Sequence, residues 1–342
     1  MDNRYLAFFN CQAVGMYLRV GTEMTWRSVD EVQIGTDPRW ATRIGPLSAP
    51  ERAALERLRS GDNVDLRRHR SLESALRQAG AILPGRPSGP EFDSPSRRAW
   101  SVMRADGRGD HQVNSRSSAI LEISRLGRTG LAIALTAATA GIGWVTSADT
   151  SAVRECDTGL GGFRLRDVGR SRTSATAQAL TNSRPGTRFA GAIPDQPTVS
   201  VFVGDHLADP AWYRFTAAAG TPHFPVVFGE ASVEVGPVVM PGVGPCLHCV
   251  DSYRLDADPA WAWVGTQLGS RPDPGEEPSL AAGAASLAVA FALGVVDGRA
   301  RTGVSVLLQL GEPVPLIHTW TTHPDCPVCP DGLDPGSVAQ ED

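Results

Sequence analysis

The chain has 342 residues, 32 basic and 37 acidic side chains, and a formal net charge of -5. That length exceeds one small core and suits two ordinary domains. The acidic balance argues against nucleic acid as the main partner, because phosphate binding needs a basic excess. Every basic residue is arginine, so a Walker lysine, a Schiff-base lysine and a lysine general base are all excluded.

Met1-Asp2-Asn3 lacks a basic n-region, and the apolar run Leu6 to Phe9 is too short for a secretory signal. A cytoplasmic protein is expected. Residues 1–83 form the first block. Short alternating stretches, Val32-Gln33-Ile34 and Ala41-Thr42-Arg43-Ile44, precede two helices. Ser48 with Pro50 and Glu51 reads as a capping box opening a helix that carries Leu55 and Leu58 and stops at Gly61. A second helix covers about Leu72 to Ala79. Strands followed by short amphipathic helices predict a small winged-helix-like α+β module. Leu55 and Leu58 either floor a peptide groove or pack the module's own core.

Residues 84–118 turn polar, rich in Pro, Gly, Arg, Ser and Asp without periodicity, and read as a linker or mobile loop. The second block, 119–332, opens with a strand over Ala119 to Ile123 and a glycine turn, Arg125-Leu126-Gly127-Arg128-Thr129-Gly130. A helix from about Thr129 to Ala140 and a strand from Trp144 to Ala148 follow, giving one βαβ unit and hence a parallel sheet. Further strands are expected at Val199 to Val203 and Phe224 to Phe228, with a helix between them capped at Asp209-Pro210. From Ser232 the texture becomes antiparallel, ending in a hairpin of Val304 to Leu310 and Val314 to Thr321. The uncharged stretch Leu280 to Val296 reads as a buried helix rather than a membrane span. Its small residues, such as Ala281, Gly283 and Ala285, suit either burial within the domain or a homodimer contact. Residues 333–342 form a C-terminal tail.

Four of the six cysteines form two CxxC pairs, Cys246 with Cys249 and Cys326 with Cys329, leaving Cys11 and Cys156 alone. Two residues inside each pair let both thiolates reach one ion, and two pairs complete a tetrahedron. The spacing predicts one structural zinc site that pins the end of the domain to its middle. Reduced buried cysteines or a redox CxxC are the alternatives. In the glycine turn, a backbone free of side chains can approach a phosphate at a helix N-terminus. Gly127, Arg128 and Gly130 are candidate nucleotide contacts, with Asp149 at the next strand's end placed to bind ribose hydroxyls. A tight strand–helix turn with Asp149 on the surface fits the same residues.

The glycine turn, Gly141-Ile142-Gly143, Asp149 and the paired CxxC motifs together resemble the ThiF/MoeB superfamily. The segments from Thr221-Pro222-His223-Phe224 to Pro245-Cys246-Leu247-His248-Cys249, Asp258-Pro259-Ala260-Trp261 and His323-Pro324-Asp325-Cys326 resemble actinobacterial ThiF-like cyclodehydratase partner proteins associated with YcaO enzymes. Trp26-Arg27, Val32-Gln33-Ile34-Gly35 and Gly45-Pro46-Leu47-Ser48 are similar to their peptide-clamp region. The resemblance implies an α/β fold, a Rossmann domain with a zinc-pinned antiparallel extension behind the N-terminal module. It implies leader-peptide binding for thiazole/oxazole-modified or bacteriocin-like ribosomal peptides, with a YcaO-type cyclodehydratase and a homodimer as partners. Active members adenylate a C-terminal carboxylate with ATP and Mg. Asp205 resembles the magnesium aspartate and Arg172 is the basic candidate at the phosphate-binding lysine position. Here, however, Arg125 replaces a loop glycine, Thr150 stands where a second acid belongs, and Arg154 to Arg166 lacks the Asn/Arg-Gln pattern. These departures predict a degenerate adenylation site. An active adenylating enzyme acting on a peptide or carrier-protein C-terminus is the alternative.

Overall fold

A computed structural model of the chain describes residues 15–85, 95–104, 107, 109–159, 161–191, 195–269, 271 and 275–329. Cys11 and the tail expected over 333–342 lie outside them. The chain forms two compact units, Met1–Asn114 and Ser115–Asp342.

In the first unit, β1 (Met16–Leu18), β2 (Met24–Trp26), β3 (Val32–Ile34) and β4 (Thr42–Ile44) precede α1 (Ala49–Arg59), α2 (Arg70–Gln78) and β5 (Ile82–Pro84). β2, β3 and β4 form an antiparallel meander, while β1 pairs antiparallel with β5. The capping box forms: the Glu51 carboxylate accepts from the Ser48 N–H at 2.9 Å and the Ser48 hydroxyl at 2.6 Å. α1 then turns Leu55 and Leu58, both 0% exposed, into a core with Val32, Leu66, Leu72 and Leu76. These leucines therefore pack the unit's own interior and do not floor a groove.

The stretch read as a linker carries two helices among its described residues, α3 (Pro95–Met103) and α4 (Gly109–Ser115). Polar contacts hold them, which is why apolar periodicity missed them. Arg97 donates to the Asn114 side chain at 3.0 Å and Arg104 to Gln112 at 2.7 Å. The buried Ser101 hydroxyl donates to the Gly107 carbonyl. A Cβ at Gly109 would lie 2.1 Å from the Arg97 carbonyl, so only glycine permits that approach.

The second unit runs β6 (Ile120–Ile123), α5 (Arg128–Thr139), β7 (Trp144–Thr146), α6 (Arg172–Ser183), β8 (Arg188–Ala190), β9 (Val199–Asp205), α7 (Pro210–Ala218) and β10 (His223–Phe228). It continues through β11 (Ser232–Val235), α8 (Leu247–Ala257), α9 (Trp261–Leu268), α10 (Pro278–Val296), β12 (Val304–Gln309) and β13 (Leu316–Thr319). One sheet holds all eight strands in the order β13-β12-β11-β10-β9-β6-β7-β8. The five from β10 to β8 are parallel and the three beyond β10 antiparallel. This is a Rossmann order with an antiparallel extension.

α5 and α10 pack against each other and bury one face of the sheet. α10 spans 19 residues at a mean hydropathy of 2.1, enough in length and composition to cross a membrane. Its Ala281, Ala284, Ala288 and Ala292 stripe is instead buried in the sheet's core, where small side chains let two helices approach closely. Glu277 caps its first turn, accepting from the Ser279 and Leu280 N–H groups. At its far end Asp297 makes a two-pronged ion pair with Arg116, 0% and 1% exposed, while Arg116 also donates to the Ala140 carbonyl that closes α5.

Candidate functional site

Strand order reverses at β6: the chain leaves it for β7 on one side and returns to β9 on the other. In open α/β sheets ligands bind in the crevice outside the carboxyl ends of the strands at such a point. The turn after β6, Asp149 beyond β7, and Asp205 at the end of β9 meet there. Gly127 is the N-cap of α5. A Cβ at Gly130 would lie 2.0 Å from the Arg125 carbonyl, so the tight entry of the helix requires glycine there.

The polar groups of this crevice are matched to one another. Arg125 grips both carboxylate oxygens of Asp205 and reaches Glu276 at 3.3 Å. The second oxygen of Glu276 accepts from the Thr129 N–H, in the first turn of α5, at 2.5 Å. Asp149 accepts from the Leu126 N–H at 2.8 Å and from the N–H and hydroxyl of Ser151. Burial alone would raise its carboxyl, but those hydrogen bonds and the Arg172 charge outweigh burial and hold it below the usual carboxylate range. Arg172 is 4% exposed. It donates two bonds to Asp157, at 2.7 and 3.1 Å, and one to Asp149 at 3.2 Å. Arg128 is turned to the carbonyls of Cys156 and Thr158.

Thus Gly127, Gly130, Asp149 and Asp205 share one crevice, while Arg128 and Arg172 are directed to partners within the chain. The phosphate seat expected at the helix N-terminus faces a carboxylate. Sequence reading missed Glu276 and Asp157 here. Glu276 stands far along the chain from the glycine turn, and only the packing of α10 beside α5 brings it there. The chemical signal was the arginine in the turn, which calls for a buried acid opposite.

The four CxxC cysteines gather at the other end of the unit. Cys246 is the N-cap of α8 and Cys249 lies in its first turn. The sulfurs of Cys246 and Cys249 are 3.8 Å apart, Cys246 and Cys326 3.7 Å, and Cys249 and Cys329 3.6 Å, with all four within 4.8 Å of one another. Four ligands at ~2.3 Å in a tetrahedron place sulfurs about 3.8 Å apart, whereas a disulfide would need about 2.05 Å. The cluster fits a divalent ion such as zinc. Burial pushes the Cys329 thiol up to about 11 and raises Cys246 as well. At Cys326 burial pulls upward too, but the Cys329 and Val328 N–H groups outweigh it and hold the thiol low. Thiolates packed this closely need a cation to neutralise them. His323 donates to or accepts from Asp256 at 2.9 Å, and His248 lies beside Arg214 at 3.5 Å. Both are neighbours of the cluster and not among its four sulfur donors.

No protein-family model matches the chain, and no curated protein matches its sequence. Solved structures match over most of it. Escherichia coli MccB with ATP is 14% identical, covering 92% of this chain and 100% of its own, with a TM-score of 0.65. The microcin C7 biosynthetic enzyme MccB in complex with N-formylated MccA is 16% identical, covering 92% and 99%, at 0.64. A selenomethionine PaaA structure is 15% identical, covering 88% and 99%, at 0.63. The chain therefore has the fold of MccB.

Proposed function

We propose that this chain is the leader-peptide-binding partner of a YcaO-type cyclodehydratase, acting in the biosynthesis of thiazole/oxazole-modified ribosomal peptides. The likeness to MccB, solved with MccA, supports handling of a peptide. One observation carries the non-catalytic half of the reading: the groups an adenylating enzyme would turn to ATP are engaged with one another. Asp205 is held by Arg125, Asp149 by the Leu126 N–H, and Arg172 by Asp157. Phosphoryl and adenylyl transfer depend on free, positioned cations and a metal. In this reading the N-terminal unit is a winged-helix-like peptide clamp. The leader would add as a strand along the β2-β3-β4 meander.

The four-cysteine cluster holds zinc in this reading, and with no open coordination position the ion is structural. The small side chains on the outer side of α10, Ala282, Ser286 and Ala290, are exposed and support a homodimer contact. A monomeric mass by light scattering at micromolar concentration would exclude that contact.

The second reading is an active adenylating enzyme. It is favoured by the MccB structure with ATP and by the presence of Asp149 and Asp205 at the switch point. Calorimetry of the full chain with the precursor peptide encoded beside its gene separates the two. Micromolar binding that needs only the leader, without ATP, is expected. Binding that requires the precursor's C-terminus and ATP would replace the partner reading by the enzyme reading.

A further inference from the structure

α5 and α10 lie side by side, and the acidic pair ahead of α10 serves both. Glu277 caps α10 itself, through Ser279 and Leu280. Glu276, one residue earlier, crosses to the neighbouring helix and caps α5 through Thr129. An anion at the N-terminus of a helix is stabilised by the unpaired N–H groups and the aligned peptide dipoles. A Rossmann turn offers that seat to a phosphate. Here a carboxylate takes it.

Three observations mark Glu276 as an occupant of the seat and not merely a neighbour. Its side chain is 4% exposed, so the charge is buried, against an Arg125 that is half-buried. Each oxygen has a donor, the Thr129 N–H for one and the Arg125 guanidinium for the other. A Cβ on Gly127 would come within 2.5 Å of the Glu276 carboxylate, so the glycine that would let a phosphate approach lets this carboxylate approach. Thr129, fully buried in the same turn, also leaves its hydroxyl without a hydrogen-bond partner among the described residues.

We propose that Glu276 is an intrasteric plug. It fills the oxyanion seat at the N-terminus of α5, and its presence, rather than loss of the seat, keeps phosphate ligands out. The ligand class the seat would accept is a phosphate or pyrophosphate group, with Arg125 turning from the carboxylate to the incoming anion. The fold holds the plug in place, because the packing of α10 on α5 fixes where Glu276 falls. An external phosphate must therefore compete with a charge that is already positioned and loses little freedom on binding. This inference rests on the reading that the unmodified site does not use nucleotide.

Titration of inorganic pyrophosphate and of Mg-ATP into the full chain by calorimetry tests it, comparing the natural protein with Glu276→Ala and Glu276→Gln. At least a tenfold gain in pyrophosphate affinity is expected for Glu276→Ala, lost again when Arg125→Ala is added. A gain of several-fold is expected for Glu276→Gln, which keeps the shape and an acceptor but removes the competing charge. The Thr129 amide resonance should move in Glu276→Gln and move again on adding pyrophosphate, a readout available even if the alanine variant does not fold. Affinity within twofold of the natural protein in either folded variant, with an unmoved Thr129 amide, would overturn the plug. Tight Mg-ATP binding by the natural protein would instead overturn the partner reading, and the ratio between variant and natural protein would still judge the plug.

Discussion

At the scale of single residues, charge placement decides what each site can do. Arg125 is the substitution on which the crevice turns. A half-buried guanidinium in the glycine turn needs acids opposite it, and Asp205 and Glu276 answer that need. The cysteines follow the opposite logic, four acidic groups that need one cation. Cys249→Ser or Cys326→Ser should release the metal and lower the stability of the second unit by several kcal/mol, seen as lost zinc in elemental analysis and a lower melting temperature. Metal-free protein, carefully purified, with unchanged melting would remove the site. His223 gives a pH signature. It is 1% exposed, burial lowers its imidazole below the ordinary 6.5, and the bond with the Thr221 carbonyl only partly offsets that. A histidine kept neutral by the fold contributes stability that is complete above 6.5 and is lost as pH falls from there through the folded value. Denaturation midpoints should therefore drop between pH 8 and pH 5, and drop less in His223→Gln. Acid also loosens metal–thiolate bonds in both proteins, so the difference between the two curves carries the test. Parallel curves would mean that His223 is not held neutral.

At the scale of elements, legibility in the sequence tracked how each element is held. α1 and α7 announce themselves through capping residues and proline in the first turn, and each forms where the signature stands. Asp209, for instance, accepts from the Ala211 N–H at 2.8 Å. α10 shows as an uncharged run, and its Glu277 cap and Pro278 start lie just ahead of the stretch read from Leu280. β6, β9 and β10 were legible as apolar runs and β11 by its alternation, and their buried aliphatic and phenylalanine side chains line the sheet core. α6 and β8 were not. The buried face of α6 is Arg172, Ala175, Thr176 and Leu180, with too little apolar contrast to show a stripe, and β8 has only three residues. α3 and α4 escaped for a similar reason, since polar side chains join them. The CxxC spacing survived a long separation because metal geometry dictates it. Glu276 did not, because its partners are set by the packing of two helices. That packing carries a buried ionic bolt at the far end, Arg116 with Asp297. Removing one member of a buried pair takes from the other its two-pronged partner, at a cost of about 3–5 kcal/mol, although the partly exposed Arg299 also reaches Asp297 at 3.0 Å. Arg116→Ala or Asp297→Asn should destabilise the second unit by that amount in urea titration, and Arg116→Met with Asp297→Leu by markedly less. An effect under about 1 kcal/mol for the single changes would show that the pair contributes packing alone.

At the scale of the whole molecule, a Rossmann sheet, a cysteine cluster and a separate N-terminal unit make three claims that fold likeness alone does not join. The fold of MccB brings a switch-point crevice, and the residues in it decide whether that crevice serves chemistry. Here its acids and cations are paired internally, and the proposed function assigns peptide binding to the N-terminal unit, whose core is closed and whose meander ends in edge strands. Under the proposed function, this crevice does not activate a carboxylate. ATP–pyrophosphate exchange by the full chain, with magnesium and the clustered precursor peptide present, tests it most directly. No exchange above the protein-free blank is predicted, with or without the precursor. Precursor-dependent exchange that Asp205→Ala abolishes would contradict it.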